Sequence, residues 1–193
     1  MAYSACRPAD SRSALFEGYA AGPHWSQAGD GSNYLCLPEE PQWKTYLEGN
    51  HAYSATGYMH GVQYGLWSDA TYRNSIFDSS NSGGVDLLEQ AAPCAVCYAG
   101  GRSTTLMIPA RTECPDGWTA EYSGYLMSES HGSTHGERRR SSYLCWDEAP
   151  EIAADGAANS DQSVIYPVEV QCGTLSCSKY VTGRELACMV CSK

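Results

Sequence analysis

Two CxVC pairs, Cys94-Ala95-Val96-Cys97 and Cys188-Met189-Val190-Cys191, are the residues best spaced for chemistry. Four thiolates at tetrahedral geometry would make a structural zinc site. A CxxC can also be a redox centre, given a strand-to-helix setting and a cytosolic protein. Against both readings stand six further cysteines, which offer each pair upstream disulfide partners. His131 and His135 are four apart, as in a helical metal pair, but Gly132 and Gly136 argue for a loop. His24, His51 and His60 have no acid or nucleophile at motif spacing. The chain contains no G-x-S-x-G elbow, Walker loop or G-x-G-x-x-G turn. Glu39-Glu40 and Asp147-Glu148 each follow a Tyr-Leu-Cys sequence. Adjacency does not set such pairs across a cleft, as general acid–base work requires. They read as loop residues with a shared role such as backbone capping, with calcium ligation as a rival that has no EF-hand pattern. The expectation is a non-catalytic protein with no catalytic, cofactor-binding or metal residues.

The aromatics form the other candidate set. Fourteen Tyr and five Trp stand against two Phe, and Tyr and Trp carry a polar handle on an apolar body. Trp25, Tyr34, Trp43, Tyr64 and Trp67, with Tyr46, Tyr53 and Tyr58 between them, crowd the first half. They read as core and subunit interface, or as a stacking platform for sugars or another flat ligand.

What must position these residues is a set of short strands. Nineteen Gly, nine Pro and few long apolar runs indicate many strands joined by turns. Ten cysteines indicate an oxidising compartment and a disulfide framework, hence a secreted protein. No stretch approaches the apolar length of a membrane span, and Met1–Arg12 lacks the apolar core of a signal peptide. An extracellular reading therefore expects a removed leader or a fragment. The net charge of −10 argues against nucleic-acid binding. Arg138, Arg139 and Arg140 form the one basic cluster, read as a solvated loop or a local site for anions or sulfated glycans.

The chain also repeats itself. Cys6, Phe16-Glu17-Gly18-Tyr19, Tyr34-Leu35-Cys36 and Cys94-Ala95-Val96-Cys97 are followed in the same order by Cys114, Tyr122-Ser123-Gly124-Tyr125, Tyr143-Leu144-Cys145 and Cys188-Met189-Val190-Cys191. The first half carries an insertion, placed at the Ser-, Asn-, Gly- and Asp-rich loop region Tyr72–Gln90, and the second an extra pair, Cys172 and Cys177. Four cysteines in one half and six in the other allow each half to close its own bridges. Thr104–Ile108, ending at Pro109, reads as a strand between the copies. The predicted class is all-β, mainly strand with few short helices. It is a tandem duplication over 1–105 and 106–193, packed with pseudo-two-fold symmetry as one pair.

Cys114-Pro115-Asp116-Gly117-Trp118, Tyr122-Ser123-Gly124-Tyr125 and the paired CxVC closures resemble the C-terminal non-collagenous domain (the C4 domain) of type IV collagen, itself a tandem duplication. The likeness is closer to the C4-like heads of sponge-type short-chain collagens and related invertebrate secreted proteins. It is carried there by Ser32–Pro38, Pro93–Cys97, Leu106–Arg111 and Gly183–Leu186, and covers the chain from Cys6 to Lys193. The resemblance implies the bridges Cys6–Cys97, Cys36–Cys94, Cys114–Cys191, Cys145–Cys188 and Cys172–Cys177; spacing alone leaves the pairing open. Two departures are plain. The chain has no Gly-X-Y run, and about ten residues separate Cys177 from Cys188, where the type IV domain has a long segment that contributes to its chloride-dependent trimer interface. The expected function is a non-catalytic extracellular structural or assembly module, like a collagen C4 head without its stalk. It would associate with itself and with matrix proteins or glycans, without nucleic acid or membrane insertion. The alternative is a secreted lectin-like or small-ligand-binding protein using the aromatic-rich first half.

Overall fold

Two long strands, β1 (Arg12–Gly22) and β6 (Thr119–Ser128), organise the chain. The computed structural model describes residue 6 and residues 12–27, 31–44, 57–65, 70–130, 141–154, 160 and 162–193. The other elements are β2 (Leu35–Pro38), β3 (His60–Tyr64), α1 (Ala70–Ile76), β4 (Pro93–Ala99), β5 (Thr105–Pro109), β7 (Leu144–Asp147), β8 (Ser163–Pro167) and β9 (Ala187–Ser192). Among the described residues, nine strands form one sheet curled into a half-barrel. Its order is β2-β1-β3-β8-β6-β9-β5, with β4 on β1 and β7 on β6. The protein is mainly β, as its short alternating segments and frequent turn residues predict.

β1 and β6 are paired alike. Gly18 faces Pro38 on β2 and Cys94 on β4, while Gly124 faces Asp147 on β7 and Cys188 on β9. Each strand carries a register shift shortly before its glycine, between Ala14 and Phe16 and between Ala120 and Tyr122. The glycine is a packing requirement. A Cβ built at Gly18 would lie 1.8 Å from the Leu37 carbonyl oxygen, and one at Gly124 would lie 1.7 Å from that of Trp146. Only a residue without a side chain lets β2 and β7 approach so closely.

β3 and β8 join the halves as a parallel pair, Val62 beside Ser163 and Tyr64 beside Ile165. The main core lies over this junction. Ala20, Tyr34, Cys36, Val62, Tyr64, Phe77 and Cys94 from the first half meet Met127, Trp146 and Ile165 from the second. Trp146 is fully buried and stands edge-on to Tyr64, ring centroids 5.7 Å apart, an arrangement that ring quadrupoles favour. A smaller cluster of Leu126, Cys145, Cys188 and Val190 fills the second half.

The stretch Tyr72–Gln90 is more ordered than its loop-like composition predicts. It starts inside α1 and continues through turns in which Gly83 and Gly84 adopt positive φ. Arg73, on α1, clamps Asp86 with Nε to Oδ1 at 2.8 Å and Nη2 to Oδ2 at 2.5 Å. That guanidinium, mainly through its hydrogen bonds, holds the Asp86 carboxyl below the ordinary range. The segment then fastens to the opposite half. Asp78 N–H donates to Glu148 O, Asn81 Nδ2 donates to Ala149 O, and Phe77 packs edge-on against Tyr125. Amide and ring placement, not hydrophobic periodicity, gives this stretch its structure.

Candidate functional site

The cysteines are the best-defined positions. The structure joins Cys6 to Cys97, Cys36 to Cys94, Cys114 to Cys191, Cys145 to Cys188 and Cys172 to Cys177, and no described cysteine is free. Each CxVC therefore sends its two thiols to two different upstream partners. β4 and β9 place Cys94 and Cys188 beside Gly18 and Gly124, where both bridges are buried. The fifth bridge stands apart, in the loop between β8 and β9, with Cys177 exposed. Among the described residues, no group of three His, Cys, Asp or Glu is placed to hold a metal ion.

The aromatic candidates are dispersed. Tyr34 and Tyr64 lie in the core. The Tyr64 hydroxyl donates to Glu151 O at 2.7 Å and accepts from Trp146 Nε1 at 3.3 Å. Burial pushes that phenol well above its ordinary value, while the Trp146 hydrogen bond opposes the shift. The Tyr34 hydroxyl donates to Ser141 Oγ at 3.2 Å. Trp25 is half-buried and stacks on His24, whose ring meets His60 edge-on at 5.0 Å. Trp43 is 77% exposed, and Trp67 lies outside the described residues, as do His51, His131, His135 and Arg138–Arg140. Trp25, Tyr34, Trp43 and Tyr64 are thus distributed between core and surface; composition could not separate them because buried and exposed Tyr or Trp read alike.

Of the carboxylate pairs, Asp147 is buried and its Oδ1 accepts the Ala149 N–H at 2.9 Å, which caps the turn after β7. Glu148 Oε1 accepts from Ser123 Oγ, and Glu39 and Glu40 are exposed. A second acidic group lies where Glu169 and Glu185 face each other across a bridge, and Tyr72 OH donates to Glu185 Oε1 at 2.6 Å. Burial, then the Glu185 contact, raises the Tyr72 phenol, and burial raises Tyr125 nearby.

Sequence reasoning did not single out a groove of about 550 Å³ between the halves, lined by Tyr19, Glu39, Asn81, Pro93, Glu151 and Ile152 among others. Its lining comes from β1, the residue after β2, the turns after α1, the start of β4 and the segment after β7, which meet through non-local contacts. The edge of β4 is a further unanticipated feature. Among the described residues β4 pairs with β1 alone, whereas β9, at the corresponding place beside β6, is paired on its other side by β5. On β4 Tyr98 is 56% exposed, and on the adjoining strand β1 Leu15 is 64% exposed and Phe16 is also exposed. Sheet edges with unpaired backbone groups are templates for further strands. No helix among the described residues is long and apolar enough to cross a membrane. Five disulfides in a chain of this size are typical of extracellular proteins. No family model matches the chain, and no solved structure matches it.

Proposed function

We propose that this chain is a secreted, non-catalytic assembly module, similar to a collagen C4 head without its stalk, that associates with copies of itself and with extracellular matrix partners. The observation that carries the reading is the β4 edge, unpaired among the described residues, with exposed Tyr98 on β4 and exposed Leu15 and Phe16 on the adjoining β1. In this reading 1–105 and 106–193 are two copies of one unit, supported by the shared registers at Gly18 and Gly124. β5 covers the second copy's edge, and a neighbouring molecule covers the first. Light scattering behind size exclusion tests it. The chain should elute as a dimer or larger species at micromolar concentration. Tyr98→Lys with Leu15→Lys should return it to monomer without lowering its Tm, because charges on an edge oppose strand addition. A wild-type monomer throughout that range refutes self-association.

The groove supports a second reading, a lectin-like or small-ligand-binding protein. Tyr19 offers a ring, and Asn81, Glu39 and Glu151 offer polar groups, in a cleft of suitable size. A glycan screen by calorimetry, compared with Tyr19→Ala, decides it; no heat from any sugar removes this alternative.

A further inference from the structure

The five bridges differ in where they sit. Two join strand to strand, Cys36–Cys94 and Cys145–Cys188, and two tie a residue ahead of β1 or β6 to β4 or β9, across sequence separations of 43 to 91 residues. Cys172–Cys177 spans a separation of five, within a loop whose residues 173–179 are all exposed. Closing so short a loop removes the least freedom from the unfolded chain. The base of this loop is held without it. Val170 N–H donates to Arg184 O, Gly183 N–H donates to Val170 O, both at 2.9 Å, and Glu169 bridges to Glu185. Within the loop, Gly173 N–H donates to Leu175 O and Tyr180 N–H to Ser176 O. The matching stretch of the first half, closed by a bridge between Gln63 and Ala91, has no disulfide.

The two sulfurs are also unlike. Cys172 is half-buried, its N–H donates to Thr182 Oγ1 at 3.2 Å, and the Thr182 hydroxyl donates to Cys172 Sγ at 3.3 Å. A hydroxyl aimed at a sulfur stabilises it as a departing thiolate, and a leaving group of lower pKa leaves faster. Cys177 is exposed and so open to attack.

From these differences we infer that Cys172–Cys177 is a thiol-exchange site, the one bridge an external thiol opens while the protein stays folded. A thiolate attacks Cys177 Sγ and forms a mixed disulfide there. The Cys172–Cys177 S–S bond breaks, and its electron pair leaves on Cys172, which takes up a proton from solvent. No further oxidant or reductant is needed. The site holds a small thiol or a cysteine of another protein as a covalent adduct on Cys177.

Peptide mapping of the full native chain tests this. The protein is incubated with graded reduced glutathione, quenched with an alkylating agent and digested. The expected product carries glutathione on Cys177 and alkyl on Cys172, with the other eight cysteines unlabelled and the near-UV circular dichroism unchanged. Thr182→Val should slow adduct formation, about threefold to tenfold for the lost leaving-group stabilisation. Label spread over all ten cysteines, or a pair that opens only on unfolding, overturns the site. Glutathione found on Cys172, or a Thr182→Val rate equal to wild type, overturns the assigned direction of attack. Repeating the mapping with a thiol-bearing protein separates the sources. Adducts with glutathione alone assign the site to small thiols, and adducts with both extend it to cross-linking.

Discussion

Substituting Gly124 by alanine should cost far more than a methyl group ordinarily does. A Cβ at this position would sit 1.7 Å from the Trp146 carbonyl oxygen and 2.7 Å from its carbonyl carbon, and real Cβ atoms essentially never come within 3.0 Å of such neighbours. β7 must therefore retreat by at least 3.0 − 1.7 = 1.3 Å. Ladder hydrogen bonds of about 2.9 Å do not survive such a displacement. The pairs at risk run from Gly124 with Asp147 to Met127 with Leu144. Trp146, fully buried against Tyr64, would be dragged with its backbone. Overpacking of this kind costs about 1–3 kcal/mol, and one or two lost backbone hydrogen bonds add about 1 kcal/mol each. The sum is about 2–5 kcal/mol. With a urea slope of about 1–3 kcal/mol per molar, the unfolding midpoint should fall by at least about 0.7 M, read by Trp fluorescence with all bridges intact. Gly61→Ala is the matched control. Gly61 lies in β3 with nothing within 4 Å of its would-be Cβ, so its stability should hold to within about 0.5 kcal/mol. Equal behaviour of the two variants would refute the close-approach argument.

Other outcomes follow from the same packing. Tyr64→Phe should destabilise by about 1–3 kcal/mol, since it removes the hydroxyl bonded to Glu151 O and Trp146 Nε1. It should also change the alkaline limb. The folded-state pKa of Tyr64 is raised, so its contribution is full below the unfolded tyrosine value and is lost as pH rises toward the folded one. Melting temperatures above about pH 10 should therefore fall less steeply in the variant than in wild type. Asp86→Asn should flatten the acid limb. The folded-state pKa of Asp86 is lowered, so its stabilisation is present above the unfolded carboxylate range and lost as pH falls through the folded value. Thermal melts from about pH 5 downward check it. Replacing Cys145 and Cys188 together by serine should cost about 4 kcal/mol before allowance for the nested partner bridge, against about 2 kcal/mol for Cys172 and Cys177, in paired denaturant titrations.

The strand content was legible because it depends on local signals. Gly and Pro punctuate runs of β-branched and aromatic residues, and Thr105–Pro109 is a strand where its composition predicts one. The Gly-Tyr and CxVC landmarks marked β1, β4, β6 and β9, although their spacing did not reveal why the glycine is needed. That reason is a carbonyl on a neighbouring strand, invisible to any reading along the chain. Tyr72–Gln90 is turns and irregular backbone after residue 76, as its composition suggests; what that composition did not show is α1 at its start and the fixing of the turns by Arg73 and Asp86 and by contacts with Glu148 and Ala149, far away along the chain. The groove escaped notice for the same reason: Tyr19, Asn81 and Glu151 share no motif and meet only in three dimensions. Tyr34 and Tyr64 lie in the core, one of the two readings their composition left open, because a tyrosine's hydroxyl reads the same whether it faces solvent or bonds a buried partner.

The parallel contact between β3 and β8 has a consequence for synthesis on the ribosome. Val62 meets Ser163 across about a hundred residues of chain. At about 5–20 residues per second, the first half waits roughly 5–20 s before its neighbouring strand is made. Through that interval β3 presents a bare backbone edge, and Val62 and Tyr64 lack Ile165, Met127 and Trp146 as cover. The first half is thus a nascent client in need of shelter, and its maturation is timed by the arrival of Ser163–Pro167.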